Sequence, residues 1–298
     1  MSRPTRSQHS HSADLLAHRS GFTLLELIVS LVLAGLIGAV AVGTTISCAR
    51  FFRRQSERVE VQRNLRVAAS LIVSELRGLS ASGGDLIELG ASSLVYRAMR
   101  NTSFLCRVPD ASRARMTVEL ETAFGLRNIE AGRDSVLVLL ERDFRTDADN
   151  AWVSAGVVSV ANGVCPESSP GLSIGVGGLP ESSLVGAHIG APVRAFQVTE
   201  LRLYRDGGGV FWLGFREWKP GSGWSTVQPA VGPLTAAGLR IVYYDATGNE
   251  TARLHEVAMV GVTIVAAGSR PPGGAWLWGG EIRDSVRILA ALRNNSRW

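Results

Sequence analysis

Residues 22–48 hold a single ionisable side chain, Glu26, in an otherwise apolar run that opens Phe22-Thr23-Leu24-Leu25-Glu26 and closes on Cys48. A run of roughly 27 such residues is long enough to cross a bilayer as one helix. The chain therefore divides into a short leader before the run and a long region after it. A carboxylate inside such a span costs about 3 kcal/mol, so Glu26 is a functional candidate that needs a partner. The plain alternative is a signal anchor in which Glu26 sits at the headgroup level.

The leader, residues 1–21, carries Arg3, Arg6 and Arg19 with three histidines, and no apolar stretch precedes Gly21. A secretory signal peptide has its apolar core before the cleavage point; here the core follows it. His9-Ser10-His11 suggests a metal ligand set, but a segment removed from the mature chain makes a poor site.

Gly21-Phe22-Thr23-Leu24-Leu25-Glu26 resembles the type III signal of type IV prepilins and pseudopilins. The resemblance implies that a prepilin peptidase cuts after Gly21 and methylates Phe22. It further implies that Glu26 pairs with the N-terminal amine of a neighbouring subunit during assembly. Leu27 and Gly35 also fit the pattern, whereas Gly43 stands where many major pilins carry a helix-kinking proline. Physical chemistry agrees: cleavage creates a cationic amine in a low-dielectric setting, one helical turn from Glu26 or beside that of a shifted neighbour.

Charge alone does not orient the span. Arg3, Arg6 and Arg19 flank one end, and Arg50, Arg53, Arg54 and Arg58 flank the other. A count of positive residues favours the cytoplasm for the second side, but that rule weakens when a long domain is translocated. The resemblance places the leader in the cytoplasm, and we adopt that orientation.

Beyond the span, residues 49–77 lack glycine and proline. Leu65, Ala68, Ala69, Ile72, Leu76 and Leu79 recur at three- and four-residue spacing, an apolar face suited to packing on a sheet, with Arg63, Arg66, Ser70 and Arg77 on the solvated side. Glu60 and Arg63 are close enough to pair. One helix over residues 23–79, on the order of 85 Å long, is expected. Gly78, Gly83 and Gly84 end it.

Strands are expected at 94–99, 116–120 and 135–140. The Gly/Ser/Pro-rich stretch 155–192 reads as loops with short strands. A hairpin is expected at 199–204 and 210–215, around Asp206-Gly207-Gly208-Gly209. A second strand pair is expected at 239–244 and 257–266, then a loop at 270–280 and a last strand at 286–292.

The chain has 298 residues, 46% of them hydrophobic, which is ample for a core, and a net charge of +5. Lys219 is the only lysine and the arginines are spread along the chain, so composition does not point to a nucleic-acid face. Three cysteines are too few for a disulfide scaffold. Cys106 and Cys165 lie in the part expected outside the cytoplasm, where a disulfide between them would persist.

Other chemistry is sparse. Gly171-Leu172-Ser173-Ile174-Gly175 fits G-x-S-x-G, with Asp245 and His255 following in hydrolase order. A nucleophile elbow needs a strand before the serine and a helix after it, and the surrounding prolines and glycines oppose both. Only His188 and His255 survive cleavage, and no Cys-x-x-Cys occurs, so no metal or cofactor is expected. Asp147, Asp149 and Asn150 suggest calcium but lack the glycine and bidentate glutamate of an EF-hand. Trp212, Trp218 and Trp224 are candidates for a recognition surface, the last two better placed than the first.

The expected fold class is α+β: a long N-terminal helix on a mainly antiparallel, β-rich domain. The expected divisions are a cleaved leader (1–21), a transmembrane half-helix (22–48), an amphipathic half-helix (49–80) and a periplasmic or extracellular β-rich domain (81–298). The layout resembles the larger minor pilins and pseudopilins of the PilW and GspJ type. It implies a non-enzymatic minor type IV pilin of the inner membrane, built into a pilus or priming its assembly, that works with prepilin peptidase, other major and minor pilins or pseudopilins and an inner-membrane assembly platform, with lipid around its helix before assembly. The first alternative is a type II secretion pseudopilin. From another class comes an adhesion or DNA-binding module displayed on a filament.

Overall fold

The computed structural model describes residues 22–119, 124–125, 127–141, 150–177, 184, 186–268 and 282–292. The expected loop at 270–280 lies outside them. The chain forms two compact units, Met1–Gln55 and Ser56–Trp298. One helix, α1 (Leu24–Arg77, 54 residues), contributes to both.

In the first unit, every residue from 22 to 55 is exposed. In the second, Val61, Leu65, Ala68, Ile72 and Leu76 of α1 are buried, spaced four, three, four and four residues apart. That spacing keeps them on one face of a 3.6-residue helix. Leu79, just past the helix, is buried with them, while Arg63, Arg66, Ser70 and Arg77 are exposed. Glu60 and Arg63 are exposed and form no ion pair with each other.

Among the described residues the rest forms a 13-stranded sheet. In chain order the strands are β1 (Leu86–Leu89), β2 (Ser93–Phe104), β3 (Arg115–Glu119), β4 (Phe124–Gly125), β5 (Ser135–Leu140), β6 (Ala151–Val164) and β7 (Pro170–Gly177). They continue with β8 (Pro192–Arg205), β9 (Phe211–Lys219), β10 (Gly223–Trp224), β11 (Gln228–Tyr244), β12 (Met259–Ala267) and β13 (Arg283–Ala291). The main path runs β13-β12-β11-β9-β8-β5-β6-β7-β3, and every pairing is antiparallel. A long N-terminal helix followed by a large antiparallel sheet makes the chain α+β.

β8 organises the sheet. β2 pairs along one of its edges from Ser93↔Arg202 to Phe104↔Pro192. The other edge is shared: β9 takes Thr199–Arg205 and β5 takes Val193–Phe196. The sheet therefore forks beside Gln197 and Val198. On one branch, the buried face of α1 packs with Tyr96, Leu201, Leu213, Leu234, Ile241 and Ile264 into one core. On the other, a bridge between Leu105 and Val118 joins the end of β2 to β3. This closes β2, β8, β5, β6, β7 and β3 into a ring around a second core that includes Met116, Val136, Val138, Ile174 and Val193.

The hairpins form where turn chemistry predicts them. Asp206 accepts from the Val210 N–H at 2.9 Å and from Trp212 Nε1 at 2.8 Å, and Gly209 takes φ +83°. Asp245 Oδ1 accepts from Thr247 N, Thr247 Oγ1 and Asn249 N.

The stretch 155–192 departs from expectation. Most of its described residues form two long paired strands, β6 and β7, rather than loops with short strands. Its glycines permit strand packing instead of breaking it. A Cβ at Gly171 would come within 2.9 Å of Cys165 Sγ, and one at Gly163 within 3.0 Å of Ser173 N. One at Gly175 would collide with Ser159 Oγ. Gly-rich composition here records close backbone approach.

Candidate functional site

The N-terminus of α1 is built by its own sequence. Thr23 is the N-cap: its carbonyl accepts the first helical hydrogen bond from Leu27 N at 3.2 Å, and its Oγ1 accepts from Glu26 N at 3.3 Å. Thr-x-x-Glu is the pattern of a capping box, and a carboxylate in the first turn also complements the helix dipole. Glu26 and Phe22 are both exposed, Phe22 at 75%. Gly21 lies outside the described residues.

Around this end the helix has no partner among the described residues of its own unit. Leu24, Leu25, Leu31, Leu36, Ile37, Val40 and Val42 are each at least 60% exposed. Polar side chains in the run return their hydroxyls to the helix: Ser30 donates to Leu27 O at 3.0 Å, Thr44 to Val40 O at 3.0 Å and Thr45 to Ala41 O at 2.8 Å. Internal satisfaction of this kind is what an apolar solvent requires. By length and composition the segment is long and apolar enough to cross a membrane. Cys48, near its end, is a free exposed thiol.

The amphipathic half is fixed by a polar clamp as well as by its apolar face. Glu75 accepts from Tyr96 Oη at 3.0 Å and from Arg100 Nη1 at 3.2 Å, both on β2. Asn64 Nδ2 donates to Gly232 O at 2.9 Å. Neither contact was legible in the sequence, since each depends on which strand lies under the helix.

Cys106 and Cys165 are bonded in the structure, with Cα atoms 5.5 Å apart and a sequence separation of 59. The bond lies at the seam of the strand ring. Cys106 N donates to Thr117 O of β3 at 3.1 Å, and Cys165 Sγ is 3.8 Å from Val118 O. Both cysteines are buried.

The remaining sequence candidates scatter. Ser173 sits within β7, paired to Thr117 on one side and Ala161 on the other, so G-x-S-x-G here is strand and not an elbow. Asp245 is engaged in its own turn and His255 is exposed near Glu256. Asp147 and Asp149 lie outside the described residues, among which no cluster of three or more metal-ligating side chains occurs. Trp212 is held by Asp206, whereas Trp218 is 42% exposed and packs edge-to-face on Trp224 at 5.5 Å.

Sequence reasoning missed a buried polar knot at the fork. Arg127 donates to both carboxylate oxygens of Asp134, at 2.8 and 2.6 Å, and to Gln197 Oε1 at 3.0 Å. Asp134 and Gln197 are almost fully buried. Arg133 bridges Glu217 at 2.8 Å and Glu130 at 3.1 Å. Burial alone would raise the Glu217 pKa, but hydrogen bonding and charge from Arg133 bring it below the usual carboxylate value. The knot ties the starts of β5 and β8's outer edge to the end of β9.

Residues 16–42 match the prokaryotic N-terminal methylation motif, which spans Gly21, Phe22 and Glu26. No curated protein and no solved structure matches the chain. The motif and the apolar helix support a type IV pilin-like chain, processed by prepilin peptidase, anchored in the membrane through its N-terminus and assembled with other pilins.

Proposed function

We propose that this chain is a minor type IV pilin, cut after Gly21, methylated on Phe22 and built into a pilus or a complex that primes its assembly. The observation that carries the reading is the methylation motif over residues 16–42, running into a helix whose residues 24–55 are all exposed. Before assembly those side chains face lipid; afterwards they face sister helices, while Glu26 pairs with the Phe22 amine of a neighbour. Residues 1–21 remain cytoplasmic until removed, residues 22–48 span the inner membrane, and the β-rich part lies in the periplasm.

The test is mass spectrometry of protein purified from cells with and without the processing peptidase. The reading expects a chain beginning at methylated Phe22 in the first case and an intact leader in the second. It also expects a bulky residue at Gly21 to block processing. A chain retaining Met1 in peptidase-positive cells overturns it. Loss of piliation on deleting the chain separates a pilus subunit from a pseudopilin, whose deletion would abolish secretion instead.

A further inference from the structure

The fork in the sheet leaves a groove of about 740 Å³ on the side of β8 away from α1, lined in part by Arg97, Ser135, Ser154, Gly156, Phe196 and Trp218. Side chains alternate along a strand, so Arg194, Phe196, Val198 and Glu200 share this face while Leu201 belongs to the core under the helix.

Three features give the groove a chemistry. First, its exposed aromatic ring is positioned. Trp218 leans on Trp224, and Trp224 lies under the Arg216 guanidinium at 4.6 Å. Second, a cation lines it. Arg97 lies over the Phe196 ring at 5.3 Å, and Arg194, two residues along β8, lies over Trp152 at 4.6 Å. Both act through their charge on the buried Asp85 without a close ion pair among the described residues, whereas Arg202 and Arg216 both pair with Glu200 and Arg133 pairs with Glu217 and Glu130. Third, its floor is bare. A Cβ at Gly156 would meet no atom within 4 Å, so any side chain there would project into open space.

We propose that this groove binds an acidic polysaccharide, with a sugar ring against Trp218, its carboxylate on Arg97 and its hydroxyls on Ser135 and Ser154. Aromatic rings offer apolar faces to the C–H side of a sugar, and a guanidinium matches a carboxylate in planar geometry. Charge density decides against a polynucleotide. Tracking a phosphate backbone requires a continuous positive groove. Here Arg97, the one cation among the described lining residues, shares the field of the buried Asp85 with Arg194, and Glu200 takes up Arg202 and Arg216, which suits a ligand with sparse carboxylates.

The test uses the full-length protein in detergent micelles, titrated by calorimetry and tryptophan emission with tetragalacturonate, an alginate tetramer, methyl-esterified tetragalacturonate and an oligothymidylate. At least one free acid should bind, and the ester should bind at least about tenfold more weakly, the scale of one lost charged contact. Gly156→Leu, which fills the floor, and Trp218→Ala should each weaken binding by a similar factor while circular dichroism stays unchanged. If Gly156→Leu does not fold, Arg97→Gln reports on the same groove from its wall. The proposal is overturned if neither acid binds, if acid and ester bind equally, if the folded variants bind like the wild type, or if the oligothymidylate binds more tightly than the sugars.

Discussion

Tyr96 Oη donates a hydrogen bond to Glu75 Oε2 at 3.0 Å, joining the middle of β2 to the last turns of α1. Tyr96 is fully buried, and burial together with the Glu75 charge pushes its pKa well above the ordinary tyrosine value. The phenol therefore stays protonated and donates across the working pH range. Arg100 completes the clamp from the same strand.

Removing the acceptor strands two donors. Glu75→Ala should cost about 2–3 kcal/mol, because Tyr96 Oη and the mostly buried Arg100 guanidinium each lose their partner. Tyr96→Phe should cost only about 1 kcal/mol, since Glu75 retains Arg100. Urea unfolding of the two single variants and the double variant measures the coupling. Strict additivity would show that the clamp does not act as a unit.

The disulfide should matter through the chain it closes. Cross-linking residues 59 apart in sequence restricts the unfolded state by about 4 kcal/mol on a chain-entropy estimate. The pair Cys106→Ser with Cys165→Ser should lower stability by about 2–4 kcal/mol. Hydrogen exchange should increase first in β3 and β7, which the seam holds, and less in β11 and β12. An equal increase in both branches would show that the bond does not serve the seam.

What the sequence revealed followed from local rules. The spacing of Leu65, Ala68, Ile72 and Leu76 marked the buried face of α1, because 3.6-residue periodicity is a property of the segment alone. Asp206 and Asp245 marked their hairpins for the same reason, since each side chain bonds its own turn. The failures were non-local. Residues 155–192 looked like loop because glycine is a weak strand former in isolation, yet Gly163 and Gly171 are needed where neighbouring strands press together. The knot of Arg127, Asp134 and Gln197 joins residues up to 70 apart and has no periodic signature. Of the candidate site, Glu26 was readable as the one carboxylate of an apolar span, whereas the Thr23 cap on its N–H came only with the structure. The groove was not, because it exists only where β5 and β9 share an edge of β8.

Asp85 gives the fold a pH dependence of unusual sign. Burial raises its pKa above the ordinary aspartate value, against the lowering effects of the Ser80 N–H at 2.8 Å and of Arg97 and Arg194. A raised folded-state pKa means that the protonated acid is the better-accommodated form. The associated stability is fully present below about pH 3.9, the unfolded value, and is lost as pH rises through the folded value. Asp85→Asn keeps an oxygen for Ser80 and removes the charge. It should therefore match the wild type near pH 3 and exceed it near pH 7 in urea midpoint. A variant less stable than the wild type at both values would mean that the Ser80 contact outweighs the cost of the buried carboxylate.

Glu26 separates helix chemistry from assembly chemistry. Its N–H is capped by Thr23 whatever its side chain, so Glu26→Gln leaves the first turn formed and changes only the charge. Processing after Gly21 should proceed normally. Incorporation into filaments should fall by at least about tenfold, the effect of losing some 1.4 kcal/mol from a charge pair in a low-dielectric setting. Glu26→Val should behave in the same way, because an apolar residue removes the same partner for the neighbour's amine. The measurement is the ratio of this subunit in sheared filaments to that in the membrane fraction, by quantitative immunoblot. Normal incorporation of both variants would show that the exposed apolar helix alone drives assembly and that Glu26 has no pairing role. A defect in Glu26→Val with none in Glu26→Gln would mean that a polar hydrogen-bonding group is needed there and a charge is not.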